Sequence, residues 1–369
     1  MEYRTWEKEQ VSPSLLGFGC MRFPLLEDGT IDKERTEQML DYAMAHGVTY
    51  YDTAYTYINK TSEKFIGEYF KKYERESFYF ATKLPLWCVK TEEDVDRILQ
   101  EQLDNLQTDY IDFYLVHAMD KERLAWMEKM HAFEKLMKYK EEGVIRHLGF
   151  SFHDTYDVFE QILTSYPWDF CQIQYNYMDI DYQAGDKGCQ LAGKLGIPVV
   201  VMEPVRGGSL LRLPEDIKKY FKEYNEEASY ASWPMRWVAD HPEVKVILSG
   251  MSDEEQVKDN IHTFTSFDPL NEEEKAVIAK VRGLIQQRQK SRCTGCEYCM
   301  PCPHGVDIPA NFKYWNDDSM YLDGNGKRHY AGLGSEQAVN CKQCGKCEAA
   351  CPQHISIRED LKKVARDLA

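Results

Sequence analysis

TEEDVDRILQEQLDNLQTDYIDFYLVH, residues 91–117, contains the two periodicities from which the fold follows. Val95, Ile98, Leu99, Leu103 and Leu106 recur at helical spacing, with Thr91 placed to cap the first turn. After a short polar gap, YIDFYLVH (110–117) is a nearly continuous apolar run of strand length. A strand that is apolar on both faces must be covered on both, and an amphipathic helix beside it supplies one cover.

The same unit recurs on either side. Strand-like runs are LLGFGCM (15–21), VTYYDTA (48–54), SFYFATK (77–83), IRHLGFS (145–151), FCQIQYN (170–176), IPVVVMEP (197–204) and VKVILSG (244–250). Helix-like stretches such as TEQMLDYAMAHG (36–47) lie between them. Eight strand–helix units predict an α/β protein whose parallel sheet closes into a (β/α)8 TIM barrel over residues 1–285. A ninth helix, 271–289, leads out of it. Residues 286–369 read as a small, mostly helical second domain, with crowded cysteines, few strand signals, a turn-rich DGNGKRHYAGLG (323–334) and a final amphipathic helix, IREDLKKVARDL.

A chain of 369 residues accommodates a barrel of ordinary size and a small appendage. No apolar run is long enough to span a bilayer, and MEYRTWEKEQ is too polar for a signal peptide, so a cytoplasmic protein without a membrane partner is expected. The net charge of −16 argues against nucleic acid and anionic lipid, which demand a basic face, and suits docking to a basic redox partner.

Of twelve cysteines, Cys20, Cys88, Cys171 and Cys189 stand alone, and the remainder crowd together beyond residue 290. Cys341-x2-Cys344-x2-Cys347-x3-Cys351-Pro352 has the spacing of bacterial ferredoxins. Cys293-x2-Cys296-x2-Cys299-x2-Cys302-Pro303 is one residue shorter before its last cysteine. Three thiolates at such spacing wrap one cubane, and in two-cluster ferredoxins the fourth, preceding proline, reaches the other cluster. By that logic one [4Fe–4S] cluster takes Cys293, Cys296, Cys299 and Cys351, and the other takes Cys341, Cys344, Cys347 and Cys302. Structural zinc favours two separated C-x2-C pairs, and disulfides do not suit a reducing compartment.

Chemistry in a (β/α)8 barrel sits at the C-terminal ends of the strands. There the second strand offers Asp52 and Tyr57, the third Lys83 and the fourth His117. A free tyrosine titrates near about 10, too high for proton exchange at neutral pH, and a neighbouring ammonium lowers that value. Asp52 would hold the lysine, a neutral His117 would orient a carbonyl oxygen, and Tyr57 would protonate that oxygen as a hydride reaches the carbon.

These four residues match, in order and strand context, the catalytic tetrad of the aldo-keto reductase superfamily, and the resemblance runs over roughly residues 13–265. The cysteine-rich tail, with CTGCEYCMPCPHGVDIP, resembles the ferredoxin-like extension of one branch of that superfamily. The resemblance implies NAD(P)H lying extended across the rim without a glycine-rich dinucleotide fingerprint, and this chain has none. It assigns Gly19, Cys20 and Met21 to the first loop and Ser151 and Gln172 to the carboxamide. By the same resemblance Met202 occupies the position under the nicotinamide, and Gly250, Met251, Ser252, Gln256 and Asn260 match the adenosine end. That last stretch, SGMSDEEQVKDN, reads independently as a strand entering a helix N-terminus, a natural phosphate site.

Three positions depart from the family pattern. Phe152 and His153 follow Ser151 where Asn is common, Met202 replaces an aromatic residue, and Asp253, Glu254 and Glu255 stand where NADP-dependent members often carry Lys or Arg. Carboxylates repel a 2′-phosphate, which favours NADH, while Arg206 and Lys258 act in the other direction. Trp87, Tyr55 and Trp126 are candidate apolar walls for a substrate.

The expected protein is an oxidoreductase that interconverts a small carbonyl compound and an alcohol, its clusters exchanging electrons with a ferredoxin or flavoprotein. A plain carbonyl reductase with structural or oxygen-sensing clusters is a second reading. A scaffold that has lost catalysis is a third, against which the intact tetrad argues.

Overall fold

A computed structural model describes residues 1–265 and 267–369. The strands are β1 (Leu16–Gly19), β2 (Tyr50–Asp52), β3 (Tyr79–Leu84), β4 (Ile111–Met119), β5 (Ile145–Phe152), β6 (Phe170–Gln174), β7 (Val199–Met202) and β8 (Val244–Ser249). All pairings are parallel, and the sheet closes as β1 to β8 in chain order. Every apolar run read from the sequence is a strand of this barrel.

Alternation along the strands explains the double-faced hydrophobicity. Tyr50, Ala81, Phe113, Leu115, Phe170, Val200 and Val246 fill the interior, while their neighbours Tyr51, Phe80, Tyr114, Val116, Val199 and Ile247 pack under the helices. Gly17 is required here, because a Cβ would lie 2.7 Å from Val246 and 2.8 Å from Leu248. One end of the interior is plugged by a feature absent from the sequence reading. Bridges Tyr3↔Ser14 and Trp6↔Val11 fold the N-terminal segment back on itself. Trp6, fully buried, sets its ring 4.8 Å from Phe113 and 5.6 Å from Phe170.

The helix Glu93–Leu106 buries Val95, Ile98, Leu99 and Leu106, as its spacing predicts. Its cap differs from the expectation at Thr91. Asp94, inside the first turn, accepts from the backbone N–H groups of Lys90 and Thr91, so the side chain that fastens the helix start belongs to the helix itself. Gln102 is also buried on the inner face.

The chain forms two compact units. The first comprises Met1–Arg206 and Ala231–Leu270, and the second Gly207–Tyr230 and Asn271–Ala369. Within the second, the helix Glu272–Gln286 begins with a capping box between Asn271 and Glu274 and packs on the helix Glu215–Tyr224. Arg288 clasps both oxygens of Asp216 at 2.8 and 2.7 Å. Val306, Ile308, Phe312, Trp315, Leu361 and Val364 form a separate core here. The segment expected to be turn-rich holds a helix, Asn325–Gly332, packed on the helix Ile308–Tyr321. Its glycine permits close approach: a Cβ on Gly326 would lie 2.5 Å from both Tyr314 O and Asp318 Cβ.

Candidate active site

Strand register brings the rim residues to one end of the barrel. Gly19 pairs with Asp52, Phe18 with Ser249, Ser151 with Gln172, and Gln174 with Met202. The β4–β5 pairing slips between Val116 and Met119, Ala118 adopts φ 53°, and its N–H donates to Ser151 Oγ at 2.7 Å. His117 continues the inward-facing alternation of Phe113 and Leu115, and the irregularity follows it at Ala118.

Lys83 is wholly buried, and its Nζ donates to Asp52 Oδ1 at 2.7 Å, Asp52 Oδ2 at 2.8 Å and the Thr53 carbonyl at 2.6 Å. The ammonium lies 4.8 Å from the centre of the Tyr57 ring, which meets the His117 ring edge-on at 6.0 Å. Burial pulls the Lys83 pKa down, but Asp52 and Tyr57 push it up by more, so the side chain is an ammonium. Burial also raises Tyr57, and this outweighs the lowering by Lys83. The expected depression of the Tyr57 pKa is thus reversed, and Tyr57 stands in its protonated, donor form at neutral pH. Burial first, then Lys83, His153 and Arg123, hold His117 neutral, with its pKa well below the usual value. Its Nδ1 is buried without a hydrogen-bond partner.

Of the three aromatic residues expected to wall a substrate, Trp87 lies beside His117. It is about half exposed (47%), 4.9 Å from the His117 ring. Tyr55 is buried and donates to Glu101 at 2.5 Å, and Trp126 donates to the Val89 carbonyl at 2.9 Å, so both brace loops.

Among the cofactor candidates, Gln172 is buried and its Oε1 has no partner, while its Nε2 rests on Met202 Sδ at 3.6 Å. Gly19 is pressed against β8, where a Cβ would sit 3.2 Å from Ser249 O. Cys20 is fully buried, whereas Met21 is exposed. Met251 is buried, and Asn260 ties the helix Glu254–Thr265 to Ser249 at 3.0 Å. Gln256 Oε1 accepts from the Ser252 N–H at 3.0 Å, and its Nε2 donates to Asp253 at 2.6 Å. A Cβ on Gly250 would lie 3.0 Å from the Arg22 side chain. Both cations expected to favour a 2′-phosphate are engaged: Lys258 with Glu254 at 2.8 Å and Glu255 at 3.2 Å, and Arg206 with Asp179 at 3.2 Å.

The second unit contains two concavities. One, of about 330 Å³ with its open mouth, is lined by Cys293, Cys296, Cys299 and Cys351 beside Ile308 and Phe312. The other, of about 320 Å³, is lined by Cys302, Cys341, Cys344 and Cys347 beside Val306 and Leu361. The thiols surround a volume rather than a point. Among the described residues, no three His, Cys, Asp or Glu side chains converge as a single metal ion requires.

Fold and site together define an oxidoreductase of the aldo-keto reductase type joined to an iron–sulfur domain. The chain belongs to the aldo/keto reductase family, whose model matches residues 15–282, and a 4Fe-4S dicluster domain model matches residues 292–356. The uncharacterized oxidoreductase YqkF of Bacillus subtilis is 26% identical over 308 residues, covering 75% of this chain and 96% of that protein. A probable aldo-keto reductase 1 of Glycine max is 27% identical, but the match spans only 57% of its length and 53% of this chain. Among solved structures, the aldo-keto reductase AKR11C1 from Bacillus halodurans (holo form) superposes with a TM-score of 0.64 at 27% identity, over 76% of this chain and 96% of that one. An aldo-keto reductase from Klebsiella pneumoniae in complex with NADPH gives 0.63 at 21% identity over the same shares, a likeness of fold alone. Among the described residues, no helix is long and apolar enough to cross a membrane.

Proposed function

We propose that this chain is a nicotinamide-dependent oxidoreductase of the cytoplasm that interconverts a small carbonyl compound and its alcohol, coupled to one-electron transfer through two [4Fe–4S] clusters. The observation that carries the reading is the convergence of a protonated Tyr57, a buried Lys83–Asp52 pair and a neutral His117 at one strand-end site.

Tyr57 is the proton donor to the carbonyl oxygen and the acceptor in the reverse direction. The Lys83 ammonium stabilises the phenolate left behind, while Asp52 keeps the ammonium in place. His117, neutral at physiological pH, donates a hydrogen bond to the same oxygen and fixes its orientation. Trp87 forms an apolar wall beside it.

The residues fit a nicotinamide cofactor. Gln172 presents a buried, unpartnered Oε1 to a carboxamide, Ser151 and Met202 flank it, and Gly19 to Met21 with Gly250, Met251, Ser252, Gln256 and Asn260 would follow the extended chain. Bound there, a nicotinamide supplies or accepts the hydride. The carboxylates of Asp253, Glu254 and Glu255, with Lys258 and Arg206 already paired, favour NADH over NADPH. The solved relative from Klebsiella pneumoniae holds NADPH, so the preference is read from this chain's own charges.

The cysteines fit two cubanes. Cys293, Cys296, Cys299 and Cys351 would hold one and Cys302, Cys341, Cys344 and Cys347 the other, as the two concavities support. Such clusters pass one electron each, so a pair matches one hydride equivalent in count. A ferredoxin or flavoprotein is the external carrier.

The decisive experiment is an anaerobic absorbance titration of the iron-loaded protein with NADH and then NADPH, beside carbonyl-reduction assays of the parent and Tyr57→Phe. Bleaching of the visible band by NADH, with reduction abolished in Y57F at unchanged iron content, is the expected result. Carbonyl reduction that persists in Y57F removes Tyr57 from its assignment. An unbleached band with turnover intact leaves a plain reductase whose clusters are structural.

A further inference from the structure

Consecutive residues brace Lys83 from opposite ends. Ser62 and Glu63 open the helix Ser62–Phe70, and both are buried there, Glu63 at 1% exposure. Ser62 Oγ donates to the Cys20 carbonyl at 2.8 Å and meets Thr53 Oγ1 at 2.9 Å; the Thr53 carbonyl in turn accepts from Lys83 Nζ. Glu63 Oε1 accepts from Thr82 Oγ1 at 2.6 Å and from Gln102 Nε2 at 2.7 Å, and Asn105 approaches Oε2 at 3.4 Å. The same Gln102 amide reaches the Lys83 backbone carbonyl at 3.1 Å, while Gln102 Oε1 accepts from Tyr114 at 2.6 Å.

A carboxylate enclosed by this apolar layer is costly unless its acceptor sites are filled, and here three neutral donors fill them. Side chains alternate along β3, so Thr82 points outward to Glu63 while Lys83 points into the barrel. The network therefore lies behind the strand whose next residue carries the ammonium. Displacing that strand by a fraction of an ångström moves Nζ relative to Asp52 and Tyr57.

We infer that Glu63 is a positioning residue for the proton-transfer step: through Thr82 and Gln102 it fixes the β3 backbone at Lys83, and so the ammonium against Tyr57. This rests on the assignment of Tyr57 as proton donor. Glu63 touches neither substrate nor cofactor in this account and acts only through Lys83.

The test compares Glu63→Gln, Thr82→Val and Thr82→Ser with the parent holoenzyme, using 4-nitrobenzaldehyde and a panel of aliphatic aldehydes and ketones with NADH and NADPH. T82V is near-isosteric and keeps every charge, so it separates placement from electrostatics. The expected result is a loss of roughly tenfold in kcat for E63Q and T82V, with KM changed less than about twofold and a larger solvent deuterium isotope effect on kcat. T82S, which keeps the hydroxyl, should match the parent. A lowered Tm in E63Q and T82V with kcat and the isotope effect unmoved would make the network merely structural. A loss in E63Q alone would assign Glu63 a through-space charge effect instead. Either outcome overturns the inference while Y57F remains inactive, whereas an active Y57F, or no turnover by the parent on the whole panel, sinks the underlying assignment.

Discussion

Cys302 and Cys351 have exchanged cavities: each lies against the three thiols of the other's sequence cluster. The exchange predicts a pattern of iron loss. Cys302→Ala and Cys351→Ala should each remove about half of the bound iron and acid-labile sulfide, from different clusters, and the double variant should lose nearly all of it. Were each sequence cluster to bind its own cubane, Cys302→Ala would strip the same centre as Cys299→Ala. Reduced-state electron paramagnetic resonance of the paired variants C299A/C302A and C299A/C351A tells the two arrangements apart. In the crossed arrangement only C299A/C351A keeps one cluster whole.

Lys83→Met leaves the Asp52 carboxylate, 3% exposed, without its cation. Breaking a buried pair from one side costs about 3–5 kcal/mol, far more than removing both charges together. A strongly lowered urea midpoint for K83M, largely restored in Asp52→Asn/Lys83→Met, is the expected outcome. The Lys83 pKa is raised in the fold, so this stabilisation is complete below the ordinary lysine value and is lost as pH rises through the folded one.

Acid should act in part through His147, whose ring stacks on Phe113 at 5.0 Å. Burial lowers its pKa to about 4, so the folded protein holds it neutral while the unfolded chain protonates it near the ordinary value of 6.5. Between those values the unfolded state binds more protons, and stability falls as pH falls. Denaturant midpoints measured from pH 7 to pH 4 should decline less steeply in His147→Gln than in the parent. Equal slopes would refute the assignment.

Cofactor choice should respond to charge at the helix Glu254–Thr265. Glu254→Gln/Glu255→Gln removes two carboxylates and releases Lys258 from its partners. Fluorescence titrations should then show the NADPH-to-NADH affinity ratio rising by about tenfold, the equivalent of roughly 1.4 kcal/mol. An unchanged ratio would place the 2′ position away from this helix.

How legible the molecule was depended on whether a signal was local. The strands announced themselves because both faces of each are buried, leaving runs such as IDFYLVH with few polar interruptions. Asp52, Tyr57, Lys83 and His117 were legible because strand ends supply the rim of any such barrel. Tyr57's raised pKa was not, because burial is a property of the assembled site and overrides the one neighbour that sequence could name. Glycines misled at residues 323–334, where Gly326 serves a close helix contact and not a turn. Glu63 was passed over because a glutamate in a helix ordinarily faces water. Only the fold reveals Thr82 and Gln102 around it.

The second unit is built from two separate stretches of chain, and this bears on modularity. A cut near residue 286 falls between the two family matches, yet Gly207–Tyr230 would remain with the barrel half while Arg288 and Asp323, its partners, left with the other. Cut before the helix Glu272–Gln286, the barrel half would also bare Ile217 and Phe221, which are buried in the whole protein. The iron–sulfur extension is consequently not a detachable cassette. Because Gly207–Tyr230, a stretch of the barrel family's own sequence, folds into the same unit, a truncation that keeps that unit intact must keep both stretches together.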